Sequence, residues 1–304
     1  TKVSGSQVLQ GMSDLKHLIL VNNQIRSISD LISDTLVSLD LSNNRLTNLQ
    51  PTMLVSLPSL TTINLSKNHR ISLQTKQGEV TSVSLRRIDL SYCNMDNIEL
   101  EGFPALTNVN LKGNMIRQLS SDSFLNSRMI ENLDLSQNSI NLIHSNTFNK
   151  LKHLKKLNLS FNMIPKIDRD TFKENELLTK LDLSRNYISR FNRISAPYLT
   201  LLNMTWCEIM TIDPDALTGF QELTTLDLSN NLITDLPDTL AADQLSILDL
   251  SMNRMTTIRN TTFASFPEIT KINLSGNRFT TPFRVEFFEG NPFLSDISLG
   301  DNPW

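Results

Sequence analysis

Apolar residues recur along the whole chain in one pattern, whose central part alternates apolar and polar positions. A clear copy is segment 178–188, which reads LTKLDLSRNYI. Leu181 and Leu183 flank a polar residue, and side chains two positions apart on a strand share one face. Each copy therefore predicts a short β-strand with one buried face, followed by a turn at the asparagine.

This pattern occurs thirteen times, at intervals of 21 to 25 residues. One strand of this length cannot bury its apolar face, whereas a stack of such strands can. We therefore expect a solenoid in which a parallel sheet covers a continuous column of leucines. The copies begin at Leu15, Leu36, Leu60, Leu85, Leu106, Ile130, Leu154, Leu178, Leu199, Leu223, Leu245, Ile269 and Leu294.

The repeat resembles the leucine-rich repeat family, and the resemblance covers essentially the whole chain. Many copies have 24 residues and carry a phenylalanine six residues before the pattern begins, such as Phe124, Phe148 or Phe172. This form is similar to the "typical" repeat of extracellular animal proteins. The resemblance implies an α/β-solenoid horseshoe of about 13 repeats, with a parallel sheet on the concave face and mostly loop or 3-10 structure on the convex face.

Asparagine is unusually frequent, at 32 of 304 residues, although it disfavours ordinary helices. Eleven of these residues occupy the turn position of the repeat, where an amide can satisfy backbone groups of its own and the neighbouring repeat. Cys93 and Cys207 fill the same position in the two remaining repeats. We expect both to be small buried residues, too far apart for a disulfide. A nucleophilic or metal-binding role is the less favoured alternative.

The chain is expected to form a single array over residues 1–304, with residues 1–14 as an N-terminal lead-in. The last repeat, 294–304, ends in Asn302-Pro303-Trp304. In extracellular members of the family this ending leads into a cysteine-rich cap, so the resemblance implies a fragment without its caps. No apolar run approaches the ~20 residues that span a bilayer. Any membrane attachment would therefore come from a segment outside this chain.

The polar position between the two strand leucines alternates between aspartate and asparagine from Asp40 to Asp227. Because neighbouring strands lie ~4.8 Å apart, this alternation separates the carboxylates. Asp227 beside Asp249 is the exception, which predicts a raised pKa for one of them or a nearby cation such as Lys271. No third acidic ligand is expected there, so we predict neither a metal nor a cofactor.

The position after the strand serine is the most variable of the repeat, as expected for a recognition surface. It contains tyrosine, tryptophan and arginine, which are enriched at binding hot spots. A solvated surface of locally paired charges is the alternative. The candidate partner-binding residues, on the middle of the concave rim, are Tyr92, Lys112, Phe161, Arg185, Tyr187 and Trp206.

Catalysis is not expected, because the chain has no metalloprotease, P-loop or dinucleotide-binding motif and only four histidines. A net charge of −3 gives no reason to propose nucleic acid. Glycosylation sequons occur at Asn64, Asn158, Asn203, Asn260 and Asn273. Four of them arise from the repeat pattern itself, so they are weak evidence for secretion; Asn260 and Asn203 are the first candidates to carry a glycan.

The family resemblance implies an extracellular, secretory-pathway module that recognises proteins, as part of a membrane-anchored signalling receptor or adhesion protein. The expected partner is a protein ligand or co-receptor, and a homodimer is an open option. Two alternatives remain at this point. One is a secreted innate-immune protein that binds microbial ligands, and the other is a matrix scaffold.

Overall fold

Short strands dominate the computed structural model, which describes residues 2–4, 9, 11–29, 31–75 and 78–304. The strands have two or three residues each, because each repeat has only one alternating apolar stretch. They are β1 (Lys2–Ser4), β2 (His17–Ile19), β3 (Ser27–Ser29), β4 (Ser38–Asp40), β5 (Thr62–Asn64), β6 (Gln74–Thr75), β7 (Gly78–Glu79), β8 (Arg87–Asp89), β9 (Asn108–Asn110), β10 (Gln118–Leu119), β11 (Asn132–Asp134), β12 (Leu142–Ile143), β13 (Lys156–Asn158), β14 (Lys180–Asp182), β15 (Arg190–Phe191), β16 (Leu201–Asn203), β17 (Thr211–Ile212), β18 (Thr225–Asp227), β19 (Ile247–Asp249), β20 (Lys271–Asn273) and β21 (Asp296–Ser298).

Thirteen of these strands, one from each repeat, form a parallel sheet in chain order. The predicted solenoid is therefore confirmed. Within each unit, neighbouring repeats pair without any shift of register, so that Leu181 lies opposite Leu157 on one side and Leu202 on the other. All three leucines are buried. The uniform register stacks equivalent leucines into the predicted column behind the sheet.

The chain divides into two compact units. The first contains Thr1–Ile140 and Lys150–Leu154, and the second contains Asn141–Asn149 and Lys155–Trp304. Six sheet strands, β2 to β11, belong to the first unit and seven, β13 to β21, to the second. The same packing scheme operates in each unit.

The turn asparagines form a buried hydrogen-bonded ladder, as the repeat predicts. Asn186 donates from Nδ2 to the carbonyl of Leu183 in its own repeat (2.8 Å) and to that of Leu159 in the preceding repeat (3.0 Å). Its Oδ1 accepts the backbone N–H of Ile164 at 3.0 Å. An unpaired buried backbone group costs about 1–3 kcal/mol. By pairing such groups in two repeats, the asparagine stabilises its own turn and that of the preceding repeat.

Both cysteines take the place of an asparagine in this ladder. The Cys93 thiol donates to the carbonyl of Leu65 at 3.3 Å, and the Cys207 thiol donates to that of Leu183 at 3.1 Å. Both are free and buried. Cysteine therefore keeps the donor of the missing amide but not its acceptor, which confirms that these two residues are structural substitutes.

The segments that return from one sheet strand to the next contain little helix. In the described residues they include two 3-10 helices, Thr262–Ser265 and Val285–Phe288. Stacked aromatic rings fill this side, with Phe148 and Phe172 at a centroid distance of 5.5 Å, as the phenylalanine spacing predicts. None of the helices in the described part of the chain is long and apolar enough to cross a membrane.

One element on the return side departs from the repeat pattern. Strands β6 and β7 pair antiparallel and form a small hairpin. Glu99 of the next repeat holds its start, because its carboxylate accepts the backbone N–H groups of Leu73 (2.6 Å) and Gln74 (3.1 Å) and the Ser72 hydroxyl (2.9 Å). The Glu99 carboxylate thus ties the hairpin to the array, together with the Gln74 amide, which donates to Glu101 at 3.3 Å.

Replacing Asn186 tests the ladder. We expect Asn186→Ala to lower the free energy of unfolding by about 3 kcal/mol or more, since three buried backbone groups lose a partner at about 1–3 kcal/mol each. Asn186→Cys should lose less, because the thiol keeps a donor as Cys207 does. Urea unfolding measures both changes. The exposed Asn260→Ala is the control, with an expected change within about 0.5 kcal/mol; equal losses for all three variants would contradict the ladder.

Candidate functional site

The sheet face carries a row of carboxylates and amides that cap the ends of the strands. In each repeat from the second to the twelfth, Oδ1 of this aspartate or asparagine accepts the backbone N–H of the residue two positions later, as Asp182 does from Ser184 at 2.9 Å. Several of the following serines also donate their hydroxyl, as Ser251 does to Asp249 at 2.6 Å. The recurring Asp-Leu-Ser is therefore a turn that caps its own backbone.

Asparagine amides in this row also contact the carboxylate of the preceding repeat. Asn110 donates to Asp89 at 3.1 Å, and Asn273 donates to Asp249 at 3.0 Å. A weaker contact of 3.4 Å joins Asn64 to Asp40. Because aspartate alternates with asparagine along this row, a carboxylate has an amide as its neighbour instead of a second carboxylate. A charge-assisted hydrogen bond then takes the place of electrostatic repulsion.

Asp227 and Asp249 face each other on paired strands without an intervening amide. Burial raises the pKa of Asp227 above its ordinary value of 3.8, and the nearby charges of Asp249 and Asp182 raise it further, although hydrogen bonds from Ser229 oppose the shift. The expectation of a raised pKa in this pair therefore agrees with the structure. The carboxylate of Asp249 also accepts a hydrogen bond from the Asn273 amide.

The variable position of the repeat has a backbone constraint that the sequence analysis did not identify. At this position, immediately before the ladder residue, every repeat has a positive φ, between +51° and +69°. Asparagine, glycine and aspartate tolerate this left-handed conformation, but bulky residues adopt it rarely. The thirteen residues are Asn22, Asn43, Lys67, Tyr92, Gly113, Gln137, Phe161, Arg185, Trp206, Asn230, Met252, Gly276 and Asp301. We call this column the turn edge.

Side chains of the turn edge lie over the equivalent position of a neighbouring repeat. In the first unit the Tyr92 ring covers Gly113, where an added Cβ would lie 2.3 Å from a ring carbon. The Tyr92 hydroxyl donates to Oε1 of Gln137 at 2.9 Å. Gly113 is therefore required both by its positive φ and by the ring above it.

In the second unit the turn edge holds an aromatic–guanidinium–aromatic stack. The guanidinium carbon of Arg185 lies 4.8 Å from the ring centroid of Phe161 and 5.0 Å from that of Trp206. Such cation–π contacts contribute roughly 0.5–1 kcal/mol each at exposed sites. All three side chains are exposed. We call Phe161, Arg185 and Trp206 the arginine stack.

The structure brings together three of the six candidate partner-binding residues. Phe161, Arg185 and Trp206 form the arginine stack, and Tyr187 lies two positions beyond Arg185, where it is also exposed. Tyr92 and Lys112 belong to the first unit. Lys112 is half-buried, and its backbone N–H donates to Oδ1 of Asn110 at 3.1 Å, in the place that serine occupies in other repeats.

A second hydrogen-bonded column precedes the strands, and the sequence analysis missed it. Thr200 donates its hydroxyl to the carbonyl of Thr179 at 3.0 Å, and Thr224 donates to that of Thr200 at 3.0 Å. Thr179 likewise donates its hydroxyl to the carbonyl of Lys155, and Thr270 donates to that of Ser246, each in the preceding repeat. The recurring Thr or Ser immediately before the strand is the sequence signal. This column stabilises the stack and leaves few free hydroxyls on that side.

The described residues contain little that could support catalysis. Burial raises the pKa of Cys93 to about 11 and that of Cys207 to about 12, so both thiols are protonated at neutral pH and are poor nucleophiles. No group of three or more histidine, cysteine, aspartate or glutamate residues in the described part of the chain could hold a metal ion.

The sequon asparagines differ in how their side chains are engaged. Asn64 and Asn273 donate their amide to a neighbouring aspartate, and Asn158 and Asn203 accept a backbone N–H in the capping row. Asn260 is exposed in the turn that precedes the 3-10 helix Thr262–Ser265. Asn260 is therefore the first candidate among these asparagines to accept an N-linked glycan.

The sequence matches two family profiles. The profile described as leucine rich repeat matches residues 34–95, 104–164 and 128–188. The leucine-rich repeat profile of leucine-rich repeat and WD repeat-containing protein 1 matches residues 176–288. Together these segments span most of the chain. No curated protein matches it.

Solved structures from animals and bacteria share the fold. A chain of the Drosophila Toll–Spatzle complex is 20% identical with a TM-score of 0.74, and the match covers 92% of this chain and 40% of that one. An internalin (InlF) from Listeria monocytogenes is 19% identical with a TM-score of 0.65, covering 96% of this chain and 83% of its own. The Leptospira interrogans protein LIC12759 is 21% identical with a TM-score of 0.65, covering 99% and 83%. At these identities the likeness concerns the fold alone.

The raised pKa of Asp227 predicts a pH dependence of stability. The folded state keeps the Asp227 proton to higher pH than the unfolded state does, so the contribution of this group is favourable below about pH 3.8 and is lost as pH rises through the raised pKa. We expect Asp227→Asn, which keeps the capping oxygen, to unfold at higher urea than the wild type at pH 7. This advantage should shrink at pH 3.5.

The control for this measurement is Asp301→Asn, which makes the same charge change at an exposed position of the turn edge. It should leave the difference between the two pH values unchanged. Identical wild-type and Asp227→Asn midpoints at both pH values would show that ionisation of Asp227 does not affect folding.

Proposed function

This chain belongs to the leucine-rich repeat family, and from that premise we propose that it is an extracellular protein-recognition module of a cell-surface receptor or adhesion protein. In this proposal a protein partner binds the sheet face and its turn edge, and the chain itself performs no catalysis. Attachment to a membrane would come from a segment outside this chain.

The observation that carries this proposal is the set of bulky exposed side chains at positive φ on the turn edge. Tyr92, Phe161, Arg185 and Trp206 occupy a conformation that asparagine and glycine adopt far more easily, and all four are exposed. Backbone strain of this kind costs of order 1–3 kcal/mol per residue and persists mainly where it serves a function. Tyrosine, tryptophan and arginine are also the residue types that dominate binding hot spots.

A protein partner is favoured over a buried lipid. The leucines behind the sheet, such as Leu133 in the first unit and Leu181 in the second, are buried. The space behind the sheet at these positions is therefore filled by the chain's own leucine side chains. The Toll–Spatzle complex, which contains a structural neighbour of this chain, is an assembly of proteins. Because bacterial proteins share the fold, this likeness supports a recognition module but does not choose the partner.

Binding of the chain to arrays of purified candidate partners tests the proposed function. We expect the chain to bind at least one member of an array of extracellular and cell-surface ectodomains, and to bind none of a parallel array of microbial glycans and lipids. The variant Tyr92→Asn/Phe161→Asn/Trp206→Asn should weaken that binding by about tenfold or more, since hot-spot truncations cost about 2 kcal/mol or more. Asparagine already occupies this position at Asn230, so the variant adds no backbone strain.

The matched control replaces three exposed apolar residues outside the sheet, Val55→Ala/Leu125→Ala/Val285→Ala. Binding should survive this change. Capture that persists in the turn-edge variant would exclude the turn edge as the binding surface. Capture only by the microbial array would instead favour an innate-immune binder.

An extracellular location also predicts modification of Asn260. When the chain is expressed through the secretory pathway of animal cells, we expect an N-linked glycan at Asn260 and none at Asn64 or Asn273, whose amides donate to Asp40 and Asp249. Mass spectrometry after deglycosylation reads the modified positions. Asn260→Gln should remove the glycan and leave the urea midpoint unchanged. A secreted chain with unmodified Asn260 would contradict this assignment.

A further inference from the structure

We propose that Arg185 binds a carboxylate side chain of the protein partner, so that the arginine stack is the anchor point for an acidic residue. This inference rests on the proposed function, because it names the chemistry by which the turn edge of the second unit would recognise a protein. It concerns Arg185 with Phe161 and Trp206, whose rings lie on either side of the guanidinium.

The two rings contact Arg185 by cation–π attraction, and neither side chain supplies a carboxylate or carbonyl acceptor for its N–H groups. The ring centroids of Phe161 and Trp206 lie 4.8 and 5.0 Å from the guanidinium carbon. The five N–H donors of an arginine lie in the guanidinium plane, so stacking does not compete with a bidentate hydrogen bond to a carboxylate.

Arg185 has no acidic partner within 4.0 Å among the residues that the structure describes. Two other arginines of this unit are paired: Arg190 with Asp213 at 2.5 Å, and Arg259 with Asp235 at 3.4 Å. Asp182, on the strand that leads to the stack, instead caps the backbone N–H of Ser184 at 2.9 Å. Within the described residues, the guanidinium charge of Arg185 therefore has no ion-pair partner.

The conformation of the stack is established before any partner binds. Phe161, Arg185 and Trp206 have φ values of +54°, +54° and +55°, at consecutive positions where other repeats carry asparagine or glycine. A free arginine side chain carries about 2 kcal/mol of rotamer entropy. Because stacking already restricts that freedom, a partner that pairs with Arg185 loses less entropy on binding.

The surroundings of the stack favour a carboxylate on a protein over a polyanion. Met163 and Tyr187 lie near it with exposed fractions of 51% and 54%, and they offer an apolar rim that suits a folded or peptide partner. The neighbouring sheet strands β13, β14 and β18 carry two lysines and two aspartates, whose charges cancel. A sulfated or phosphorylated polymer binds best to an excess of positive charge, which the two aspartates offset on these strands.

A library of random 12-residue peptides displayed on phage tests the inference with the intact chain. We expect peptides selected on the wild type to share an aspartate or glutamate beside an aromatic or aliphatic residue. Arg185→Gln should weaken their binding by about tenfold or more. Changing the peptide carboxylate to its amide should have the same effect, and the two changes together should add little. Arg185→Lys should restore only part of the affinity, because an ammonium group cannot make the bidentate hydrogen bond of a planar guanidinium.

Folding and specificity have their own controls. Glutamine is compatible with the turn-edge backbone, since Gln137 has a φ of +54° at the same position. Arg254→Gln removes another exposed arginine of the second unit and should leave peptide binding unchanged.

Three results would overturn the inference. They are the selection of no binding peptides, selected peptides without a shared carboxylate, and peptides whose affinity is unaffected by Arg185→Gln. Binding of heparin that depends on Arg185, with no acidic peptides, would identify a polyanion site and also overturn it. Failure of this test with continued capture by an ectodomain array would leave the proposed recognition function intact.

Discussion

The need to pair the buried backbone groups of every turn governs this structure. A ladder asparagine such as Asn186 satisfies carbonyls of two repeats and a backbone N–H of the preceding one. To place its amide inside, the chain must reverse direction just before it, and the residue at that point adopts a positive φ in all thirteen repeats. The buried ladder thereby creates the turn edge and exposes one side chain per repeat on it.

The same hydrogen-bonding constraint separates the surface into an internally satisfied part and an available part. On the sheet face, aspartates and asparagines cap their own strands and contact one another, so most of their capacity is used within the chain. On the turn edge, Arg185 contacts the rings of Phe161 and Trp206 and has no acidic partner among the residues that the structure describes. The strongest candidate for recognition therefore lies beside the sheet rather than at its centre.

The fold alone does not identify a partner, because an animal complex and two bacterial proteins share it at about 20% identity. Recognition must instead be argued from the residues at positions that the repeat leaves variable. Where the backbone favours asparagine or glycine, the middle repeats instead carry Tyr92, Phe161, Arg185 and Trp206. Such replacements require stabilisation from neighbours, and the observed ring stacking supplies it.

The sequence by itself determined the solenoid, the parallel sheet, the leucine column and the asparagine ladder with Cys93 and Cys207 as substitutes, because each depends on a spacing repeated thirteen times. It also located the Asp227–Asp249 contact, since uniform register makes equivalent positions neighbours. Only the tertiary structure decided that Arg185 lies between Phe161 and Trp206, that Tyr92 covers Gly113, and that threonine hydroxyls form a second column. Those contacts depend on backbone dihedral angles and side-chain directions, which residue spacing does not specify.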